Sequence, residues 1–237
     1  MSYPLHVSVL RRLHLHRMKL SGQTPCYRAQ ERNPEQVAYF LEVKFPIIQP
    51  LTEKIGADIV FEDEAGVGIM TRSGRTWGAV GQAPKVAVTG RRGGYNVLST
   101  ITANGELHYA LEEKNIDGKR YVEFLEKLLR DRTRPLIVIA DNASFHKAPE
   151  VREFVLGNRK KIRMFFLPTY VPELNPDEQV WNEIKHRQLG KQPIKNKLDL
   201  KKRLHSALKS LRQKAEKIRS FFQLPDTQYA AIPESIL

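Results

Sequence analysis

The sequence predicts a mixed α/β fold: a five-stranded sheet flanked by helices, with helical extensions at both ends. Three observations carry that expectation. Between residues 57 and 113, ADIVFEDEAGVGIM, RTWGAVG and YNVLSTITANGELHYALEE read as β-strands separated by Gly-rich turns, with Asn104-Gly105 a strong hairpin signal for an antiparallel meander of three strands. DGKRYVEFLEKLLRDR then places Tyr121, Phe124, Leu125, Leu128 and Leu129 on one helical face with charges on the other. Last, PLIVIADN is a continuous apolar run that fits a buried strand, APEVREFVLGN reads as a helix ending near Gly157, and IRMFFLP reads as another strand.

The flanking elements follow from the same patterns. Residues 5 to 20 carry Leu5, Val9 and Leu13 among basic residues and read as a short basic helix leading into a linker, GQTP. A second helix is expected from Pro34 to about Glu53, with Val37, Phe40, Leu41 and Ile48 facing inward. After the last strand, helices are expected from Asn175 and from near Lys197, the latter with Leu200, Leu204, Leu208 and Leu211 as its apolar stripe. The expected domains are thus 1–54, 55–190 and 191–237.

Composition excludes several classes. With 41% apolar and 27% charged residues the 237-residue chain is neither disordered nor collagenous. Its single cysteine, Cys26, forbids an intrachain disulfide framework or a multi-cysteine zinc site and favours a reducing compartment. No segment approaches a membrane span of roughly 18 apolar residues, so a cytoplasmic chain with no membrane partner is expected. The net charge of +13 is concentrated: between Lys185 and Arg219, 13 Lys and Arg face two acids, Asp199 and Glu216, leaving +11. Such a stretch suits a polyanion partner, with Lys185, Arg187, Lys201, Lys202 and Arg203 as its DNA-binding candidates. A solvated helix face is the plainer reading.

A meander, a helix, a strand, a helix, a strand and a final helix is the element order of a ribonuclease H-like fold. The right-handed crossover would bring the first and fourth strands together in parallel. Alternation along IVFEDEAG puts Ile59, Phe61 and Asp63 on one face and Val60, Glu62 and Glu64 on the other, while Asp141 ends the fourth strand. Either acid alone reads as a turn or cap residue. Two on adjacent strands suit a hard divalent cation, and such sites serve in-line displacement at phosphorus.

FEDEAG, RTWGAVGQAP, ADNASFHKAPEV and LPTYVPELNPDEQVWNEIK together resemble the successive blocks of bacterial insertion-sequence transposases of the mariner-type DDE superfamily. Carried over by motif, the catalytic and metal-binding triad is Asp63, Asp141 and Glu178, with 36 residues between the last two. The resemblance implies a ribonuclease H-like catalytic domain with two Mg2+ or Mn2+ ions and no small-molecule cofactor. It also implies DNA cleavage and strand transfer on double-stranded DNA, both element ends and target, by a homodimer. Family members usually begin with helix-turn-helix modules, whereas VSVLRRLHLHRMKLSGQTP resembles only their last helix and linker, so a remnant of the DNA-binding region is expected at 1–54. A metal-dependent nuclease of the same fold and a non-catalytic DNA-binding remnant are the rival expectations.

Other residues keep two readings. Glu178 lies three residues after Asn175, where a capping-box acid belongs, so it is a cap or a metal ligand; Asp177 is expected to turn about 100° away from it. His146 and Asn142 follow Asp141 closely: His146 either contacts a phosphate or metal-bound water or is a loop histidine satisfied by backbone. Trp77 and Trp181 are expected in the core. GRRGGYN at 90–96 lacks the strand-to-helix context of a phosphate loop.

Overall fold

The computed structural model describes residues 14, 17–19, 29–69, 93–130, 132–189 and 194–231, without the side chains of His186 and Arg187. The strand expected at RTWGAVG with Trp77, most of the N-terminal helix, Cys26 and the first three residues of GRRGGYN lie outside the described residues. Residues 1–30 and 31–237 form two separate compact units; in the first, residues 14 and 17 are helical.

The larger unit is built on a sheet of β1 (Asp58–Gly68), β2 (Gly94–Ile101), β3 (Leu107–Glu112), β4 (Leu136–Ala140) and β5 (Ile162–Phe166), in the order β3-β2-β1-β4-β5. The first three strands run antiparallel, and β1–β4 and β4–β5 are parallel. This is the ribonuclease H-like arrangement. The β2–β3 hairpin turns at Asn104-Gly105 as the dipeptide predicts. Gly105 has φ +94, and a Cβ there would sit 2.7 Å from the Ala215 carbonyl oxygen, so both the backbone and the neighbour require glycine.

Helices cover both faces. On one, α3 (Gly118–Arg130) and α4 (Pro149–Gly157) pack Tyr121, Phe124, Leu125 and Val151 onto Val60, Leu98 and Val138. On the other lie α1 (Pro34–Tyr39), a π-helical stretch at Phe40–Lys44, and α2 (Phe45–Ile55). Asn33 caps α1 by accepting the N–H groups of Glu35 and Gln36 at 2.9 and 3.2 Å. That face also receives α5 (Glu178–Trp181), prolonged by a π-helical Asn182–Gln188, and then α6 (Lys197–Arg212) and α7 (Ala215–Arg219).

The expected stripe of α6 is buried: Leu200, Leu204, Leu208 and Leu211 join Phe40, Phe45 and Ile48 in the same apolar cluster as Phe61 and Ile139. Each such side chain contributes about 1.5–3 kcal/mol by leaving water. The expected boundaries at 54/55 and 190/191 therefore both cross one continuous core. The C-terminal basic helix is part of that core's cover, with its charges outside.

Candidate active site

The register of two strands sets the first two acids side by side. Phe61 of β1 pairs with Ile139 of β4, and two residues further, on the same face, come Asp63 and Asp141. Asp63 is still in β1 and 7% exposed. Asp141 is just past the end of β4, where polar groups of an open α/β sheet gather. The third acid comes from α5. Asp63, Asp141 and Glu178 line one cleft of about 350 Å³, walled by Asn142, Pro168 and Tyr170.

The start of α5 carries the cap expected at Asn175, which accepts the N–H two residues on, as Asn33 does before α1. Asn175 is extended (φ −89°, ψ 108°) after a single 3-10 turn at Pro172–Leu174. Its Oδ1 accepts the Asp177 N–H at 3.1 Å, and its Nδ2 donates to the Glu62 carbonyl oxygen at 2.9 Å. Asp177 lies in the first turn with helical dihedrals (φ −69°, ψ −21°), and its carbonyl accepts the Val180 N–H at 2.9 Å, so near-helical spacing turns it away from Glu178 as expected. It does not line the cleft: it is fully buried, and its Oδ2 accepts the Ser99 hydroxyl of β2 at 2.5 Å. Trp181, 3% exposed, is in the core as expected and fixes the roll of α5.

Electrostatics sort the acids. Burial, then the charges of Glu178, Asp177, Glu62 and Asp141, push the Asp63 carboxyl well above the usual range. Burial raises Asp177 well above it too, only partly opposed by Ser99. Burial raises Glu178, with Lys185 opposing and Asp141 adding. Burial would raise Asp141 as well, but hydrogen bonds from His146 and the Ala143 N–H together hold it below its ordinary value. Among the described residues no three His, Cys, Asp or Glu side chains converge at coordination distances. The donor set nonetheless suits Mg2+ or Mn2+: all oxygen, anionic, and crowded so that a cation would relieve the repulsion on Asp63.

Behind the cleft lies a buried relay on the opposite face of β1. His146 is 2% exposed and edge-on to Tyr121, with ring centroids 4.6 Å apart. Its Nδ1 lies 3.0 Å from Asp141 Oδ1, and its Nε2 makes a close ionic contact of 2.7 Å with Glu62 Oε2, a fully buried carboxylate, without an aligned hydrogen bond. Although burial opposes the charge, Glu62 and Asp141 hold the imidazole protonated up to about 10. Asp141 Oδ1 also accepts the Ala143 N–H at 2.8 Å, so Oδ2 is the oxygen left for the cleft. At this depth the His146 ring is shielded from solvent, and its Nδ1 faces Asp141.

The remaining candidates divide. Asn142 Nδ2 donates to the Leu167 carbonyl at 2.5 Å and its Oδ1 accepts from Lys147 Nζ at 2.6 Å, which fixes the loop after β4 to the end of β5. Lys185 stands over the Trp181 ring at 6.0 Å, on the Glu178 side of the helix. The Arg187 side chain is outside the described residues. Lys201 and Lys202 are exposed, whereas Arg203 Nε donates to Asp199 Oδ1 at 3.0 Å.

The family described as DDE superfamily endonuclease matches residues 58–201, more than half of the chain, and its span begins at β1 and contains all three acids. The chain belongs to the DDE superfamily endonucleases. This DDE endonuclease is also similar in fold to solved structures of Mos1 transposase. One is the Mos1 mariner paired end complex with Mn, at 18% identity and TM-score 0.63, covering 96% of this chain and 72% of that one. Another is the Mos1 strand transfer complex, at 18% identity and TM-score 0.62, covering 96% and 71%. A third is the Mos1 catalytic domain alone, at 16% identity and TM-score 0.55, covering 88% of this chain and all of that one. No curated protein matches the endonuclease.

Two residues of the endonuclease site escaped sequence reasoning. Glu62 was placed on the face opposite Asp63, yet nothing in the sequence says that His146 lies against it. Tyr170 at the cleft wall has φ +59, a conformation that its residue type does not announce.

Proposed function

We propose that this DDE endonuclease is a transposase that cuts double-stranded DNA at an element's ends and joins the cut end to a target, using Asp63, Asp141 and Glu178. The observation that carries the reading is that these three acids, from β1, the end of β4 and the start of α5, line one cleft in a chain of this family. The likeness to Mos1 in its paired-end and strand-transfer complexes supports strand transfer over hydrolysis alone. Those complexes also support DNA as the partner, and a homodimer as the active form is part of the same reading.

Bound Mg2+ or Mn2+ would activate the attacking oxygen and stabilise the leaving oxygen of an in-line displacement at phosphorus. Asp63, Asp141 and Glu178 would hold it. The chain's own groups preorganise that site: His146 and the Ala143 N–H fix Asp141 Oδ1, and Asn175 ties the turn before Glu178 to β1. Lys185 is placed to meet the DNA backbone beside the acids, and exposed Lys201 and Lys202 extend a basic surface along α6.

The test is incubation of the chain with labelled DNA from the ends flanking its coding sequence, supercoiled target plasmid and Mg2+ or Mn2+. Joined products that vanish in Asp141→Asn support the transposase. Nicked DNA with no joined product would instead make the chain a nuclease of the same fold.

A further inference from the structure

Tyr170 is at odds with its surroundings in two independent ways. Its backbone is left-handed at φ +59, a region that glycine and asparagine enter far more readily than an aromatic residue. Its side chain is 58% exposed, with no ring or hydrogen-bond partner for ring or hydroxyl among the described residues. Neither local preference nor packing explains a tyrosine here.

The segment around it is held firmly. On one side the Leu167 N–H donates to the Ala140 carbonyl at 2.9 Å and the Leu167 carbonyl accepts from Asn142 at 2.5 Å. On the other, Val171 is buried, the Leu174 N–H donates to the Val171 carbonyl at 3.1 Å, and Glu173 pairs with Arg32 at 3.0 Å. Prolines 168 and 172 bracket the turn and limit its alternatives. The left-handed residue is thereby over-determined, and strained residues of this kind gather at functional sites.

The ring is a wall of the cleft that holds Asp63, Asp141 and Glu178. We infer that Tyr170 is a stacking platform for a nucleobase next to the scissile phosphate, holding a DNA end in register with the three acids. The inference rests on the proposed action on DNA. A neutral π-face suits this place: the acids repel an uncompensated phosphate, while a base offers a flat apolar surface that any sequence provides. Tyr170 would then be a positioning residue for the DNA end, reading no base edge.

The experiment uses the full chain and a duplex end carrying 2-aminopurine at its terminal positions, with Ca2+ as the probe cation. In the parent, binding quenches the 2-aminopurine fluorescence, and Tyr170→Phe keeps both the quench and the affinity within about 2-fold, since a phenyl ring stacks as well. Tyr170→Gly relieves the left-handed strain, so its melting temperature does not fall. It nevertheless binds about 5- to 150-fold more weakly, the range expected for one lost base–aromatic stack, and does not quench. Unchanged affinity and quench in Tyr170→Gly would overturn the inference alone. Loss in Tyr170→Phe equal to that in Tyr170→Gly would overturn stacking in favour of the hydroxyl. A parent chain that binds no DNA end would overturn both this inference and the action on DNA beneath it.

Discussion

Asn175 Nδ2 donates to the main-chain oxygen of Glu62 at 2.9 Å, which binds the turn before Glu178 to the strand residue next to Asp63. Two of the three acids are therefore spaced by one buried amide. Asn175→Ala removes this bond and the one from the Asp177 N–H, at an expected cost of about 1–3 kcal/mol for the polar groups left unpaired. Cation-induced stabilisation should shrink as well, because the acids lose their spacing. Melting curves with and without Mn2+ measure both. A full cation shift in Asn175→Ala would show that the tie does not set the site.

The crowding on Asp63 predicts cation binding by the folded chain alone. At about 100 times its dissociation constant, Mg2+ or Mn2+ should add about 2.7 kcal/mol. For a chain of this size that raises the melting temperature by about 5–10 °C. Asp63→Asn and Asp141→Asn should abolish the shift. A parent midpoint unmoved at tens of millimolar cation would contradict the site.

The pair between His146 and Glu62 predicts a pH dependence in the metal-free chain. Burial opposes the imidazolium, but Glu62 and Asp141 raise its folded value from 6.5 to about 10. A raised value contributes stability that is complete below 6.5 and lost as pH rises through about 10. In EDTA, the melting-temperature gap between parent and His146→Gln should be widest below pH 7 and narrow towards pH 10. A gap constant from pH 6 to 10 would mean that the buried ring is not charged.

The charge on α6 predicts salt-dependent, sequence-independent DNA binding. Lys201 and Lys202 are exposed, while Arg203 is engaged with Asp199. Replacing both lysines with Ala should flatten the log–log salt slope by about two units, roughly 0.9 per phosphate contact, and adding Arg203→Ala should change it little. An unchanged slope in the double variant, read by fluorescence anisotropy, would place the DNA path elsewhere.

Much of the fold was legible because its signals are local. The Asn104-Gly105 turn, the apolar face of α3 and the continuous run of β4 each state their own structure, and right-handed crossover supplies the order. That Asp63 and Asp141 lie near one another followed from their places on two strands expected to be adjacent. Partners across the core were not legible. Period-2 spacing gives Glu62 a face but not His146 as its neighbour, and the Leu200 to Leu211 stripe of α6 announces a helix without saying which surface it covers. That Asp177 turns away from Glu178 was legible in helical spacing, but its burial against Ser99 of β2 was not.

Glu178 offers the most direct test of metal-dependent catalysis by these acids. A capping residue tolerates Gln, because the amide still accepts a hydrogen bond; an acid that balances a cation does not. Asp177 does not line the cleft, and Asn keeps its shape and an oxygen to accept the Ser99 hydroxyl, so the substitution is a near match for it. The measurement is cleavage, in Mn2+, of a supercoiled plasmid carrying the DNA that flanks the coding sequence, by parent, Glu178→Gln and Asp177→Asn chains of matched melting temperature. Cleavage lost in Glu178→Gln and kept in Asp177→Asn is the predicted result; a Glu178→Gln chain that cuts as fast as the parent would contradict it.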